Sequence, residues 1–368
     1  MKIGIDARPL SYQLTGIGIY LKSILDALQQ IDLKNHYFLI SNASIDWVPK
    51  NPKWVKLEGR IKRKLCSTPW MQTWGALLGA RLKIDLFWSP RHHLPILLPS
   101  RIKTVLTVHD IVHHYYPDTM AWPNLLVERL LMRWSISRSD YIITDSRSVA
   151  SELFSAYKLN DKKIVTIYPG IPSFKEESSK TKGEQTQLPA SYFLFVGTLE
   201  PRKNFNAILK AFEEISPNRY GVNLVIAGQK GWKTNRFARI LNQHPQRPNI
   251  HFLGYVAREK LKRIYENAVC LLFPSLYEGF GFPILEAMKC GTPVITSNTS
   301  CMPEVADGAA VLVDPHDHRA LAKAMMDIIE NDNLKNQLKI KGLQRAREFS
   351  WFKCARKTIH LFESVVSS

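Results

Sequence analysis

The sequence predicts an α/β protein of two doubly wound, Rossmann-like parallel sheets in tandem. Short runs rich in Val, Ile and Phe recur along the chain, and most are near-continuously apolar rather than alternating. Strands covered by helices on both faces have that pattern. Segments of helical period separate the runs, which is the order of a doubly wound sheet. There are about twice as many runs as one such sheet needs, and 368 residues leave room for two domains at ~150 residues each.

The N-terminal domain, residues 1–172, opens with Met1-Lys2-Ile3-Gly4-Ile5-Asp6. This is too short and too soon charged for a signal peptide and reads as a first strand, Lys2–Ile5. Gly16 and Gly18 then open a helix over Gly18–Gln30. Strands Tyr37–Ile40, Asp85–Trp88 and Thr104–Val108 come next, then helix Asn124–Ser137, strand Tyr141–Thr144, helix Ser148–Tyr157 and strand Ile164–Tyr168. Residues 173–190 are polar, charged and nearly free of aliphatics, the composition of a linker. The second domain, 191–350, holds strands Tyr192–Val196, Asn223–Ala227, Ile250–Leu253, Val269–Phe273, Pro293–Thr296 and Ala310–Val313. Its helices are Asn204–Ile215, Arg236–Asn242, Arg258–Asn267, Pro283–Lys289, Arg319–Glu330 and Leu334–Glu348. Pro283 suits a first helical position, where a missing N–H costs nothing, and Gly291 suits the helix end. Residues 351–368 form a last amphipathic helix with Ser350 as its N-cap.

Apolar residues make up 45% of the chain and charged ones 22%, which excludes a mainly disordered protein. The five cysteines are scattered without a CxxC. That argues against a disulfide scaffold or structural zinc and suits a reducing, cytoplasmic setting. No apolar run reaches the ~18 residues of a membrane span. The net charge of +18 attracts polyanions: nucleic acid, an anionic membrane face or phosphorylated small molecules. Residues 1–175 hold 24 Lys and Arg against 13 Asp and Glu, so +11. Within them, Lys56, Arg60, Lys62, Arg63, Lys64, Arg81 and Lys83 are mixed with Trp54, Trp70, Trp74, Leu77 and Leu78. The mixture fits an anionic lipid surface and equally a solvated basic loop before a core helix. Nothing resembles a nucleic-acid module, so no nucleic acid is expected as a partner.

The stretch Pro274–Ile295 is richest in chemistry. A strand ends near Phe273, Gly279-Phe280-Gly281-Phe282 form a loop, and a helix begins after it. Backbone N–H groups at such a helix start make an anion site. Glu278 before the helix and Glu286 within it flank that site with carboxylates. The set suits a ligand with phosphates in the middle and hydroxyls at both ends, as a nucleotide sugar has. Arg202-Lys203 come after a strand and a turn containing Pro201. Two cations at a positive helix end are unfavourable unless an anion visits, and they are suited to stabilising a leaving diphosphate. His109 ends its strand at the C-terminal edge, where open α/β sheets bind ligands. His109, His113, His114 and Asp110 have no strong metal-ligand spacing. Gly16 and Gly18 lack the third glycine of a dinucleotide fingerprint, since residue 21 is Leu.

The frame Pro274-Ser275-Leu276-Tyr277-Glu278-Gly279-Phe280-Gly281-Phe282-Pro283, with seven residues between Glu278 and Glu286, resembles the signature of glycosyltransferase family 4. Gly197-Thr198-Leu199-Glu200-Pro201-Arg202-Lys203-Asn204 resembles its phosphate-gripping segment. Asp6-Ala7-Arg8, Thr15-Gly16-Ile17-Gly18 and Val108-His109-Asp110 agree. The resemblance implies a GT-B fold: two facing Rossmann-like domains, a central cleft, and a C-terminal helix crossing back to the first domain. It implies a retaining hexosyltransferase that needs no metal and no cofactor beyond the nucleotide diphosphate sugar. By the same resemblance Arg202 and Lys203 grip the diphosphate, Glu278 the sugar hydroxyls and Glu286 the ribose. Gly279, Phe280, Gly281 and Phe282 line the donor, Tyr255 and Val256 frame the base, and Gly16 and His109 approach the sugar and its phosphate. Thr198 stands where some relatives carry an arginine.

Bacterial mannosyltransferases look most similar in layout, so GDP-mannose is the favoured donor. The acceptor would be a glycan or lipid-linked sugar in surface-polysaccharide or glycolipid synthesis, reached from the cytoplasmic face of the membrane. With no carboxylate nucleophile in view, retention points to same-side attack helped by the leaving phosphate. A sugar-nucleotide epimerase on the same fold is the alternative enzyme. A basic polyanion-binding scaffold is the alternative without catalysis.

Overall fold

The structure is a computed structural model. It describes residues 1–12, 14, 16–61, 67–120, 122–159, 163–174, 188–229, 231, 240, 241 and 243–368. Most of the expected linker and of the helix Arg236–Asn242 lies outside the described residues, as do Thr15 and Lys62–Lys64.

The chain forms two compact units, Met1–Pro172 with Phe349–Ser368, and Ser173–Glu348. The first holds a seven-stranded sheet in the order β3-β2-β1-β4-β5-β6-β7. Its strands are β1 Lys2–Asp6, β2 His36–Ser41, β3 Trp54–Glu58, β4 Leu86–Ser89, β5 Lys103–Val108, β6 Tyr141–Thr144 and β7 Lys163–Thr166. The second holds six strands in the order β10-β9-β8-β11-β12-β13. They are β8 Tyr192–Val196, β9 Asn223–Ala227, β10 Ile250–Gly254, β11 Cys270–Phe273, β12 Val294–Ser297 and β13 Val311–Val313. Every pairing in both sheets is parallel. β8 and β11 are buried along their whole length, which explains their unbroken apolar sequences.

β3 is an addition to the expected strands. Trp54-Val55-Lys56-Leu57-Glu58 sits at a sheet edge and pairs only with β2 among the described residues. Its burial is mixed, with Val55 41% exposed. A half-solvated edge strand carries charges that break the apolar run.

Five helices hold or brace the residues that the motifs single out: α1 Gly16–Ile31, α2 Trp122–Arg138, α3 Arg258–Glu266, α4 Phe282–Lys289 and α5 Trp351–Ser367. α5 belongs to the first unit, as expected for the final helix. Its Trp351 ring meets Tyr20 of α1 edge-on at 5.5 Å, and its Phe362 lies 5.5 Å from Trp88 of β4. Ser350 has the extended backbone of an N-cap, but its side chain makes no capping bond, which corrects that expectation. Gly170 lies so close that a Cβ there would fall 2.2 Å from the Trp351 nitrogen.

Both sheets reverse strand order once, between β1 and β4 and between β8 and β11. Loops leaving the C-terminal ends of such neighbouring strands diverge, and open α/β sheets bind ligands there.

Candidate active site

In the second unit the loops after β8 and β11 bring the predicted charges together. After β8 the chain turns through Pro201–Lys203, and Asn204 adopts the left-handed conformation with φ 54°. Asn204 Nδ2 donates to the carbonyls of Pro274, at 3.1 Å, and Pro315, at 2.6 Å. The Leu276 N–H donates to the Arg202 carbonyl at 2.8 Å. These bonds tie one loop to the other. Lys203 Nζ then reaches Glu278 Oε1 at 2.5 Å, and Arg202 Nη1 reaches Oε2 at 2.7 Å. Arg202 also donates to Glu200, at 3.0 Å, and to the Tyr277 carbonyl, at 3.2 Å. The Lys203 ammonium lies 4.7 Å from the centre of the Phe273 ring.

Burial alone would raise the Glu278 pKa, but the Arg202 and Lys203 charges outweigh it and hold the carboxyl at about 2. Burial pulls Lys203 down, and Glu278 only partly restores it. Burial likewise raises Glu200, against the pull of Arg202 and Lys203. Arg202 keeps 21% of its side-chain surface, against 9% for each of Lys203 and Glu278. Two cations face two carboxylates, Glu278 and Glu200, and an arriving anion would compete with these carboxylates for them.

Glu286, in α4, is also buried. Arg258 Nη2 of α3 donates to its Oε1 at 2.8 Å, and the Tyr265 hydroxyl to its Oε2 at 2.9 Å. Burial raises Tyr265 well above the ordinary tyrosine range, and the Glu286 charge adds to this. Gly281, with φ +84°, turns the chain into α4. Phe280 and Phe282 meet edge-on at 5.3 Å around it. Gly254 ends β10 with φ +69°, and Tyr255 beyond it is 60% exposed.

Sequence reasoning does not single out Arg258, Tyr265 or Ser300. Ser300 Oγ donates to the Glu278 carbonyl at 2.6 Å. Arg258 and Tyr265 lie at the start and near the end of α3, an ordinary amphipathic helix, so only their common partner distinguishes them. Gly228 escapes notice too. A Cβ there would meet the Gly197 carbonyl oxygen at 1.8 Å. The position after β9 therefore has to be glycine if the loop after β8 is to pass. We expect Gly228→Ala to cost about 1–3 kcal/mol, as overpacking does, read as a lower denaturation midpoint at unchanged slope.

In the first unit, His109 lies just beyond β5 and is 9% exposed. Its Nδ1 lies 2.6 Å from Asp145 Oδ2 and its Nε2 3.0 Å from the Pro90 carbonyl. After β1, Asp6 and Arg8 form a fully buried pair at 2.6 Å. Gly16 opens α1 with nothing among the described residues within 4 Å of a would-be Cβ, whereas one at Gly18 would lie 2.9 Å from the Pro9 carbonyl. His113 bonds the Tyr157 hydroxyl at 2.7 Å. Among the described residues, no three His, Cys, Asp or Glu side chains are grouped to hold a metal ion.

Two doubly wound units, with charges gathered at the strand-order reversal of the second, are the architecture of GT-B glycosyltransferases. Solved structures share the architecture over nearly the whole chain. Sucrose-phosphate synthase from Thermosynechococcus elongatus has a TM-score of 0.80 at 18% identity, covering 100% of this chain and 99% of its own. WaaG, a glycosyltransferase involved in lipopolysaccharide biosynthesis, has a TM-score of 0.74 at 14% identity, covering 97% and 98%. Residues 16–173 match the Glycosyltransferase Family 4 profile, and residues 176–345 match Glycosyl transferases group 1. An O-antigen chain mannosyltransferase B of Escherichia coli is 30% identical over 99% of this chain and 100% of its own. The chain belongs to glycosyltransferase family 4.

Proposed function

We propose that the protein transfers mannose from GDP-mannose, with retention, to a glycan or lipid-linked acceptor in surface-polysaccharide synthesis. The single observation that carries the site is the cluster of Arg202, Lys203 and Glu278 where β8 and β11 part. The full-length likeness to an O-antigen chain mannosyltransferase supports the sugar and the pathway. The second unit binds the donor and the first the acceptor.

In this reading the diphosphate draws Arg202 and Lys203 off Glu278. The freed carboxylate oxygens then accept from sugar hydroxyls, while the two cations take up the charge that grows on the leaving phosphate. Glu286, steadied by Arg258 and Tyr265, accepts from the ribose. Glu200 and Glu286 are engaged by cations, and in this reading Glu278 is committed to the sugar hydroxyls. That favours same-side attack, with the leaving phosphate taking the acceptor proton, over a carboxylate nucleophile. The donor also touches Gly16, Tyr255, Val256 and the turn Gly279–Phe282, and no step is assigned to a metal.

Calorimetric titration tests the donor. GDP should bind more tightly than UDP or ADP, and Glu286→Ala should weaken GDP by tenfold or more, because a ribose contact exists in ground and transition states alike. Tighter binding of UDP overturns the choice of base. Unchanged GDP affinity in Glu286→Ala overturns the site. Conversion of GDP-mannose to another sugar nucleotide without acceptor would favour the epimerase.

The protein would work in the cytoplasm at an anionic membrane face. No described helix is long and apolar enough to cross a membrane. An apolar cavity of about 440 Å³ opens on the first unit, lined by Thr73, Trp74, Leu77, Ala80, Leu97 and Pro99. Trp74 and Leu97 are 59% and 64% exposed. Arg101 bonds the Ala80 carbonyl at its edge, and Arg81 and Lys83 lie just beyond. Apolar surface beside basic residues complements an anionic bilayer, with each basic residue contributing ~1 kcal/mol. Sedimentation should show binding to phosphatidylglycerol vesicles at low salt and loss of it in Trp74→Ser. Equal, negligible binding to neutral and anionic vesicles points to a soluble acceptor.

A further inference from the structure

We propose that Asp145 is a positioning residue that keeps the His109 ring doubly protonated, so that His109 acts on the donor as a fixed positive charge and not as a proton shuttle. The proposal rests on the reading of His109 as a donor-facing residue.

β5 and β6 are neighbours with Val108 opposite Thr144, which sets His109 level with Asp145. Asp145 is 2% exposed, and its Oδ2 lies 2.6 Å from His109 Nδ1. On the other side of the ring, Nε2 faces the Pro90 carbonyl at 3.0 Å. A carbonyl oxygen can only accept, and so can an ionised carboxylate. Both ring nitrogens must donate, and only the imidazolium does that. A neutral ring would turn a lone pair on one of these oxygens.

The surrounding histidines are arranged differently. The His109 backbone N–H donates to His92 Nε2 at 3.3 Å, so the His92 proton sits on Nδ1, which lies 3.3 Å from Glu128 Oε2. His93 Nε2 lies 3.1 Å from the same oxygen, while its Nδ1 is buried with no hydrogen-bond partner among the described residues. Burial lowers the His93 pKa despite Glu128, which suits a neutral ring. For His109, burial also works against the charge, but Asp145 outweighs it and the pKa is raised. The groups facing His109 are Asp145 just beyond β6, the adjoining Asp110, His92, and the ring of Tyr20 on α1, T-shaped to it at 4.8 Å. Cys354 of α5 lies near Asp145, whose charge adds to the effect of burial in raising the thiol. Both His109 protons are engaged inside the unit. None is left to shuttle, but the charge remains at the sheet edge, where a phosphate would meet it.

The full-length protein labelled with ¹⁵N-histidine tests this by NMR, with His109→Gln to assign the ring. Two bound ring protons and an imidazolium pattern should persist at pH 7, above the ordinary histidine range near ~6.5. A neutral ring at pH 7 overturns the proposal. Asp145→Asn should bring the ring back to an ordinary titration and lower kcat/KM for GDP release from GDP-mannose by roughly 10–100-fold, the scale on which a carboxylate that orients a metal-bound histidine acts. Asp145→Glu keeps the charge and should restore most of the turnover. Any folded Asp145 variant with a neutral His109 and full turnover overturns the positioning role. Full turnover in His109→Ala would instead overturn the donor-facing reading of His109, and the wild-type spectrum would still report on Asp145's hold.

Discussion

Lys203→Ala should lower kcat/KM for transfer from GDP-mannose by about 10²–10³-fold, the scale for losing one preorganised donor to a growing negative charge. The fold should survive. Glu278 keeps Arg202 at 2.7 Å as a partner, so no buried charge is left alone. Glu278→Ala reverses the balance. It strands Lys203, only 9% exposed, while Arg202 keeps Glu200 at 3.0 Å, and breaking a buried pair from one side costs about 3–5 kcal/mol. One variant should thus be stable and slow, the other slow and unstable. Steady-state kinetics beside thermal melts separates them. If Lys203→Ala turns over like the wild type, the cluster is structural and the donor site lies elsewhere.

The second large effect belongs to the first unit. Asp6→Ala should destabilise it by about 3–5 kcal/mol. Asp6 holds Arg8 through two bonds, Nε to Oδ1 at 2.8 Å and Nη2 to Oδ2 at 2.6 Å, with both side chains at 0% exposure. Arg8 Nη1 donates to the Ser67 carbonyl at 2.7 Å. Burial already disfavours the charge on nearby Arg91, and Arg8 adds to the effect. Removing Asp6 would leave two guanidinium groups with too little negative charge between them. At about 2–4 °C per kcal/mol for a unit of this size, the melting temperature should fall by roughly 10 °C. A fall below about 2 °C, under 1 kcal/mol on the same scale, would mean that water or a rearranged Arg8 replaces the carboxylate.

Strand positions and most helix positions are legible in the sequence because burial on both faces writes itself into consecutive residues, whereas the order of strands within each sheet is not. Phe193, Leu194 and Phe195 are all buried in a single strand. β3 is not legible because an edge strand is only half buried. The charged residues are legible as types and spacings, but their partnerships are not. Lys203 and Glu278 are 75 positions apart, and only the packing of β8 beside β11 joins them. Asp145 reads in sequence as a strand-end aspartate before the helix cap Ser146, and nothing local ties it to His109. Arg258 and Tyr265 read as two polar positions on a surface helix until α4 presents Glu286 to both.

The return of α5 to the first unit bears on how the protein is made. On the ribosome, residues 173–348 emerge as one uninterrupted stretch and can close their own sheet early. The first unit must wait, because Trp351 and Phe362 are added only after that stretch. Until they arrive, Tyr20 and Trp88 lack the rings that cover them, and nascent chains carry a sticky apolar surface. Chaperone capture during synthesis should therefore centre on the portion translated first.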